Sequence, residues 1–288
     1  MPSGRQGAFF ERRINMNEYK KNLKNVLKTV EQSTMLPAAK IRLHVSGEEE
    51  SPVGIFGSKL SGTPYIPHNE EAPVNNGGEP LILLAQIDLS DINGYGGLPK
   101  KGLLQFFIAD DDTYGLTADK GYAVRYYPEI DKTVTEEECS DKYCPDISEK
   151  FPVQMEYAVT FEKSEEPITV YDYRFGELFA KAYNKAFPDK HIDSVYDLSD
   201  EDMEFLFADD DTDEAVPAEH KLLGYPIFAQ DDPRIDGNEK YDRLLLRIDC
   251  DMSEYIMWGD GGGANFFISS ENLKNGDFSD ILYTWDCF

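Results

Sequence analysis

Tyr19, Leu23, Val26, Leu27 and Val30 recur at three- and four-residue steps, with lysines and asparagines on the opposite side. That spacing predicts an amphipathic helix over 17–32 with Asn17 as its N-cap. Beyond Pro37 the period changes. Ile41, Leu43 and Val45 alternate with Lys40, Arg42 and His44, which is strand spacing. Short apolar runs predict strands over 81–88, 102–109 and 121–127, with a loop at Asn93-Gly94-Tyr95-Gly96-Gly97 between the first two. The stretch 128–150 is polar and reads as a loop or short helix. Val153, Met155, Tyr157, Val159 and Phe161 then alternate with polar residues, predicting a strand over 151–161.

Helical spacing returns at Leu178, Phe179, Ala182, Tyr183 and Ala186, with Pro188 as the stop. Ser199 caps another helix that turns Met203, Leu206 and Phe207 inward. Further strands are expected at 242–249, 254–258, 264–269 and 281–285. Several strands lie too close together for parallel crossovers.

Part of this pattern occurs twice. Lys59-Leu60-Ser61-Gly62-Thr63-Pro64 returns as Lys221-Leu222-Leu223-Gly224-Tyr225-Pro226, and Leu83–Asp88 as Leu244–Asp249. Gly102–Ile108 returns as Gly262–Ile268. The order is kept and the offset slips only from 162 to 161 to 160 residues, so the reading is a duplication. The expected fold class is α+β, mainly antiparallel β. It has two pseudo-symmetric repeats (about 40–127 and 220–288), a helical insert (128–219) and an N-terminal helix. No Gly/Ser-rich linker interrupts 16–288, which favours a single compact domain. Residues 1–15 are basic, unlike the rest of the chain, and are expected to be a disordered extension.

Charge narrows the function classes. Lys and Arg number 28 against 55 Asp and Glu, a formal charge of -27. Residues 189–214 alone hold twelve acids and one lysine. Such a chain repels phosphate backbones and excludes nucleic-acid binding, while attracting basic proteins. No apolar run reaches the length of a membrane helix, and Ala8-Phe9-Phe10 is too short for a signal-peptide core. The expected setting is cytoplasmic, with Cys139, Cys144, Cys250 and Cys287 as reduced thiols.

The motifs His220–Pro226, Leu244–Asp249, Trp258–Gly262 and Phe266–Ile268 resemble the YwqG-like family of bacterial proteins. Leu84–Asp88 and Gly102–Ile108 resemble that family's N-terminal signature. The resemblance covers roughly 16–288. It implies a shared fold and a bacterial cytoplasmic setting. It carries no assigned reaction and therefore no catalytic residues.

Candidate chemistry is sparse. Gly259-x-Gly261-x-x-Ala264 matches a dinucleotide loop in form, but such a loop must open a helix, and here a strand comes next. A hairpin turn built on Asp260-Gly261 fits better. Asp209, Asp211 and Asp213 have the spacing of a calcium loop's opening, yet Glu214 stands where glycine is required and His220 where glutamate is. Asp110-Asp111-Asp112 fails likewise, with Gly121 at the glutamate position. His44, His68, His191 and His220 share no ligand spacing. No metal and no cofactor is implied.

The repeated Asp88 and Asp249 each end an apolar strand, with Gln86 and Arg247 two residues before them on the same face. A pseudo-axis that brought the copies together could place these four near Trp258 and Asp260 in an inter-repeat cleft. Alternatively, each aspartate caps its own turn. Two functions remain open at this level. One is a non-enzymatic binding protein, in concrete form an acidic antagonist of a basic partner. The other is an enzyme or small-ligand-binding protein using that cleft. The oligomeric state does not follow from these patterns.

Overall fold

The computed structural model describes residues 16–45, 53–117, 119–207, 219–235 and 237–288. Residues 1–15 and the acidic stretch 209–214 fall outside them. The chain divides into two units. The smaller draws on Met1–Met35 and Pro167–Ala215, the larger on Leu36–Glu166 and Val216–Phe288.

The smaller unit is helical. It contains α1 (Met16–Ser33), α3 (Phe175–Ala186) and α4 (Asp200–Phe207). α1 starts one residue before the expected cap, so Asn17 lies inside its first turn. The apolar stripe is as expected: Tyr19, Leu23, Val26 and Val30 are buried. An aromatic file, Phe175, Phe179, Tyr183 and Phe187, runs down α3 at helical spacing. Tyr19 closes it at 5.2 Å from Phe187 and donates its hydroxyl to Asp202.

The larger unit holds ten strands in one antiparallel sheet. The first five are β1 (Leu36–Val45), β2 (Lys59–Leu60), β3 (Leu81–Asp88), β4 (Leu103–Ala109) and β5 (Tyr122–Tyr127). The second five are β6 (Tyr157–Glu166), β7 (Lys221–Leu223), β8 (Arg243–Asp249), β9 (Gly262–Ile268) and β10 (Ile281–Cys287). Two short helices accompany them, α2 (Glu136–Lys142) and α5 (Ser270–Asn275).

The strand order is β10-β9-β8-β7-β1-β6-β2-β3-β4-β5. It reads the same from either end, so the duplication is a two-fold relation about the central β1/β6 pair. The first strands are exchanged. β1 lies beside β7, with Lys40 opposite Lys221, and β6 lies beside β2, with Ala158 opposite Lys59. Each copy therefore completes the other's sheet, and the two share one core. The duplicated unit is also longer than the 59–108 match, because β1 and β6 belong to it.

Both faces of the sheet are covered over β3, β4, β8 and β9, which is why these strands read as continuous apolar runs, whereas β1 and β6 alternate with one face exposed. Ile82, Leu84, Ile87, Leu104 and Phe106 join Leu245, Ile248, Ala264 and Phe266 in the shared core. The alternate residues face outward. Leu81, Leu83 and Phe107 pack under Tyr65, Ile66 and the Cys139 of α2, while Leu244 and Phe267 pack under Phe228 and Tyr241. The register slips at Leu84 in β3 and again at Leu245 in β8, a bulge preserved in both copies. The edges approach through side chains: Tyr122 donates to the Ile281 carbonyl, and Trp285 Nε1 to that of Thr113.

Two expected strands differ. Over 151–161 the strand begins only at Tyr157 and continues to Glu166, because β1 supplies partners for that span alone. Residues 254–258 make isolated bridges through Ile256 instead, and Tyr255 turns with φ 54°. α5 was not anticipated.

Candidate functional site

A polar row crosses the outer face of each copy. Lys59, Gln86, Gln105 and Arg125 stand opposite one another on successive strands. Lys221, Arg247, Asn265 and Thr284 repeat the row at equivalent positions. All but Arg125 are buried. Such groups must be satisfied locally, and most are. Gln86 accepts from the Tyr65 amide and from Gln105, and donates to the Ile55 and Gly57 carbonyls. Lys59 donates to the Val53 carbonyl and pairs with Glu156 at 3.2 Å; burial pulls its pKa below the ordinary lysine value. Lys221 pairs with Glu166 and Glu219.

Asp88 and Asp249 follow Ile87 and Ile248, which point into the shared core, so the aspartates point the other way. Asp88 accepts from the amide and hydroxyl of Ser90, capping the turn after β3. Asp249 accepts from the Glu219 and Cys250 amides and from Arg247 Nη2 at 2.8 Å. Each serves its own copy. Trp258 is fully buried against Tyr114. Asp260 is exposed in the turn leading into β9, and that turn opens a strand, not a helix. The structure thus unites Gln86 with the rest of its row and Arg247 with Asp249. It gathers these six residues into no common cleft.

His220 occupies the place of Ser58 in the first copy. Ser58 Oγ accepts the Asp88 amide at 2.8 Å, and His220 Nδ1 accepts the Asp249 amide at 3.0 Å. Its Nε2 lies 3.8 Å from Asp251 and lacks a hydrogen-bond partner. Burial holds its pKa below the usual histidine value, against the opposing pull of Asp249 and Asp251.

A cavity of about 450 Å³ opens elsewhere between the copies. Leu36, Pro37, Gly96 and Gly97 of the first copy form one wall. Leu223, Gly224, Leu244 and Leu273 of the second form the other, with Arg243, Ser270 and Lys274 as the polar groups. Gly96 is required there on two counts. Its φ is 63°, and a Cβ would stand 2.2 Å from Leu223 Cδ1. Leu223 itself has φ 63°, a conformation that strains a bulky residue and that Ser61, at φ 57°, shares in the equivalent turn of the first copy. Ser270 donates its hydroxyl to Asp242 and accepts from Arg243 Nε at 2.9 Å.

Sequence reasoning missed Arg243, Ser270 and Lys274, since two of them ride on the unanticipated α5. The available signal was its caps: Ser269 accepts from the Asn272 amide, and Gly276 ends the helix at φ 66°. A wider groove of about 640 Å³ runs between α1 and α3, edged by Lys181 and Lys185. It is an open helix–helix groove, and the hydroxyls of Thr29 and Ser33 in its lining are turned back onto the Asn25 and Val30 carbonyls.

These features define the class: an α+β protein on a duplicated, mainly antiparallel sheet, with a cavity walled by both copies. The family model DUF1963, a domain of unknown function, matches residues 58–287, and the chain belongs to that family. No curated protein matches it. No helix among the described residues is long and apolar enough to cross a membrane.

Proposed function

We propose that the protein is a binding protein for a small organic ligand, held in the cavity between the two copies. The observation that carries this reading is the cavity's construction, with Gly96 packed into a strained Leu223 across the copy boundary. Its volume lies in the range of ordinary ligand pockets. The polar groups are suited to holding rather than reacting. The Ser270 hydroxyl is engaged on both sides, and an arginine and a lysine offer donors.

A ligand-observed NMR screen of a fragment library against the full chain tests this. Hits should be lost in Lys274→Trp, which places a large ring at an exposed position of the rim. A screen without hits, or hits indifferent to that ring, would overturn the reading.

A second reading, an acidic antagonist of a basic protein, is favoured by the charge of -27. The resemblance of these motifs to YwqG-like proteins supports a bacterial cytoplasmic setting for either reading. Affinity capture at low and moderate salt that recovers no basic partner would remove the second.

A further inference from the structure

The two copies carry cavities at overlapping positions, and their charges differ. Lys40 faces Lys221 as Ala158 faces Lys59, so Gln154 takes the place of Leu36. By the β4/β9 equivalence, Asp110–Tyr114 take the place of Ser270–Lys274. Of these substitutes, Gln154, Asp111, Asp112 and Tyr114 line a second cavity, of about 280 Å³. Its charged groups are Asp111, Asp112, Glu149 and Lys150, and Lys150 is already paired with Asp112 at 3.0 Å.

The larger cavity has the opposite character. Arg243 and Lys274 line it, and no carboxylate does. In a chain with 55 acids to 28 cations, two cations without an acid reverse the average ratio. Asp242 stands behind the wall, 3.8 Å from Arg243 Nε, and its oxygens are taken by the Ser270 amide and hydroxyl. This fixes the guanidinium through Nε. Its Nη nitrogens and the Lys274 ammonium have no protein partner among the described residues. Leu36, Leu244 and Leu273 supply an apolar counterpart.

We infer that this cavity selects a small organic anion. Its carboxylate or phosphate group faces Arg243 and Lys274, and its apolar body rests on the leucines. The inference rests on the ligand-binding reading above and deepens it. The acidic cavity is its counterpart without that preference.

Four probes of similar shape test it: benzoate, phenyl phosphate, benzamide and benzylammonium. Each is titrated into the full chain while the amides of Gly96, Gly97 and Gly224 are followed by NMR. Both anions should bind roughly ten-fold or more tightly than benzamide, since each hydrogen bond becomes charge-assisted. Benzylammonium should bind weakest. The ratio of phenyl phosphate to benzoate separates a phosphate ester from a carboxylate as the preferred head group.

Arg243→Gln with Lys274→Gln, at half-buried and exposed positions, should reduce benzoate to the benzamide level with the melting temperature retained. Asp112→Asn with Glu149→Gln should change nothing. Benzamide binding as tightly as benzoate would overturn the anion preference while leaving ligand binding intact. So would anion binding that survives the double glutamine variant. If neither these probes nor any library fragment perturbs the three glycine amides, the ligand-binding reading falls as well.

Discussion

Phe106 and Phe266, the same residue of the two copies, meet edge to face with ring centroids 5.0 Å apart. Each sits mid-strand, in β4 and β9, with no exposed surface. Their contact joins the two halves of the sheet across the core, and it is where the two-fold relation has become a packing interaction.

Phe106→Ala and Phe266→Ala should therefore each cost about 3–5 kcal/mol, as core phenylalanine truncations do. Because the rings touch, the double variant should cost about 0.5–1.5 kcal/mol less than the sum. Urea unfolding of the four proteins measures this. Strict additivity would mean that the copies do not support each other through this pair.

The cavity wall makes a sharper comparison between adjacent glycines. Gly97 has φ 93° with nothing within 4 Å of a Cβ, so Gly97→Ala carries only a backbone penalty of about 1–2 kcal/mol. Gly96→Ala adds a clash with the buried Leu223 Cδ1 and should cost a further ~1–3 kcal/mol. Equal denaturation midpoints for the two variants would show that Leu223 yields freely.

The repeated aspartates should prove unequal. Asp88→Ala removes the cap of a short turn and should cost about 1 kcal/mol. Asp249→Ala leaves the buried Arg247 without its carboxylate and should cost about 3–5 kcal/mol. Equilibrium unfolding of both variants checks the ranking. Similar losses would mean that the Ile227 carbonyl and Asn265, which also hold Arg247, suffice for it.

How far the sequence carried depends on what each feature's signal was. Strand β3 is legible to the residue, because Leu81–Leu84 is apolar and Asp88 stops it. The duplication is legible because turn-setting Gly62 and Gly224 recur in register. The exchange of β1 and β6 is not, since pairing partners leave no mark in a strand's own alternation. The orientation of Asp88 stayed open in the sequence, and the structure fixes it: Ile87 faces the shared core and Asp88 caps the turn on the other side. The cavity escaped notice because its cations come from a strand start, Arg243, and a six-residue helix, Lys274. Neither gives a periodic pattern.

His220 gives a pH dependence that the first copy lacks. Burial lowers its pKa below the ordinary 6.5, outweighing Asp249 and Asp251, which raise it, and joined by Arg247, which lowers it. As pH falls through 6.5 the unfolded chain takes up a proton that the folded chain does not. Stability therefore falls with pH below that point, with a slope of at most about 1.4 kcal/mol per pH unit. Protonation would also forfeit the bond from the Asp249 amide, because Nδ1 could no longer accept. Asp286, whose pKa burial raises above 3.8, contributes in the opposite sense as pH rises, but equally in any His220 variant. Ser58 accepts the equivalent amide, that of Asp88, in the first copy without titrating. His220→Ser should accordingly lower stability at neutral pH by leaving space in a buried site, yet flatten the slope between about pH 5 and 6.5 relative to the parent chain. Urea midpoints across that interval decide it, and parallel slopes for the two proteins would show that His220 binds its proton equally well in the folded and unfolded chains.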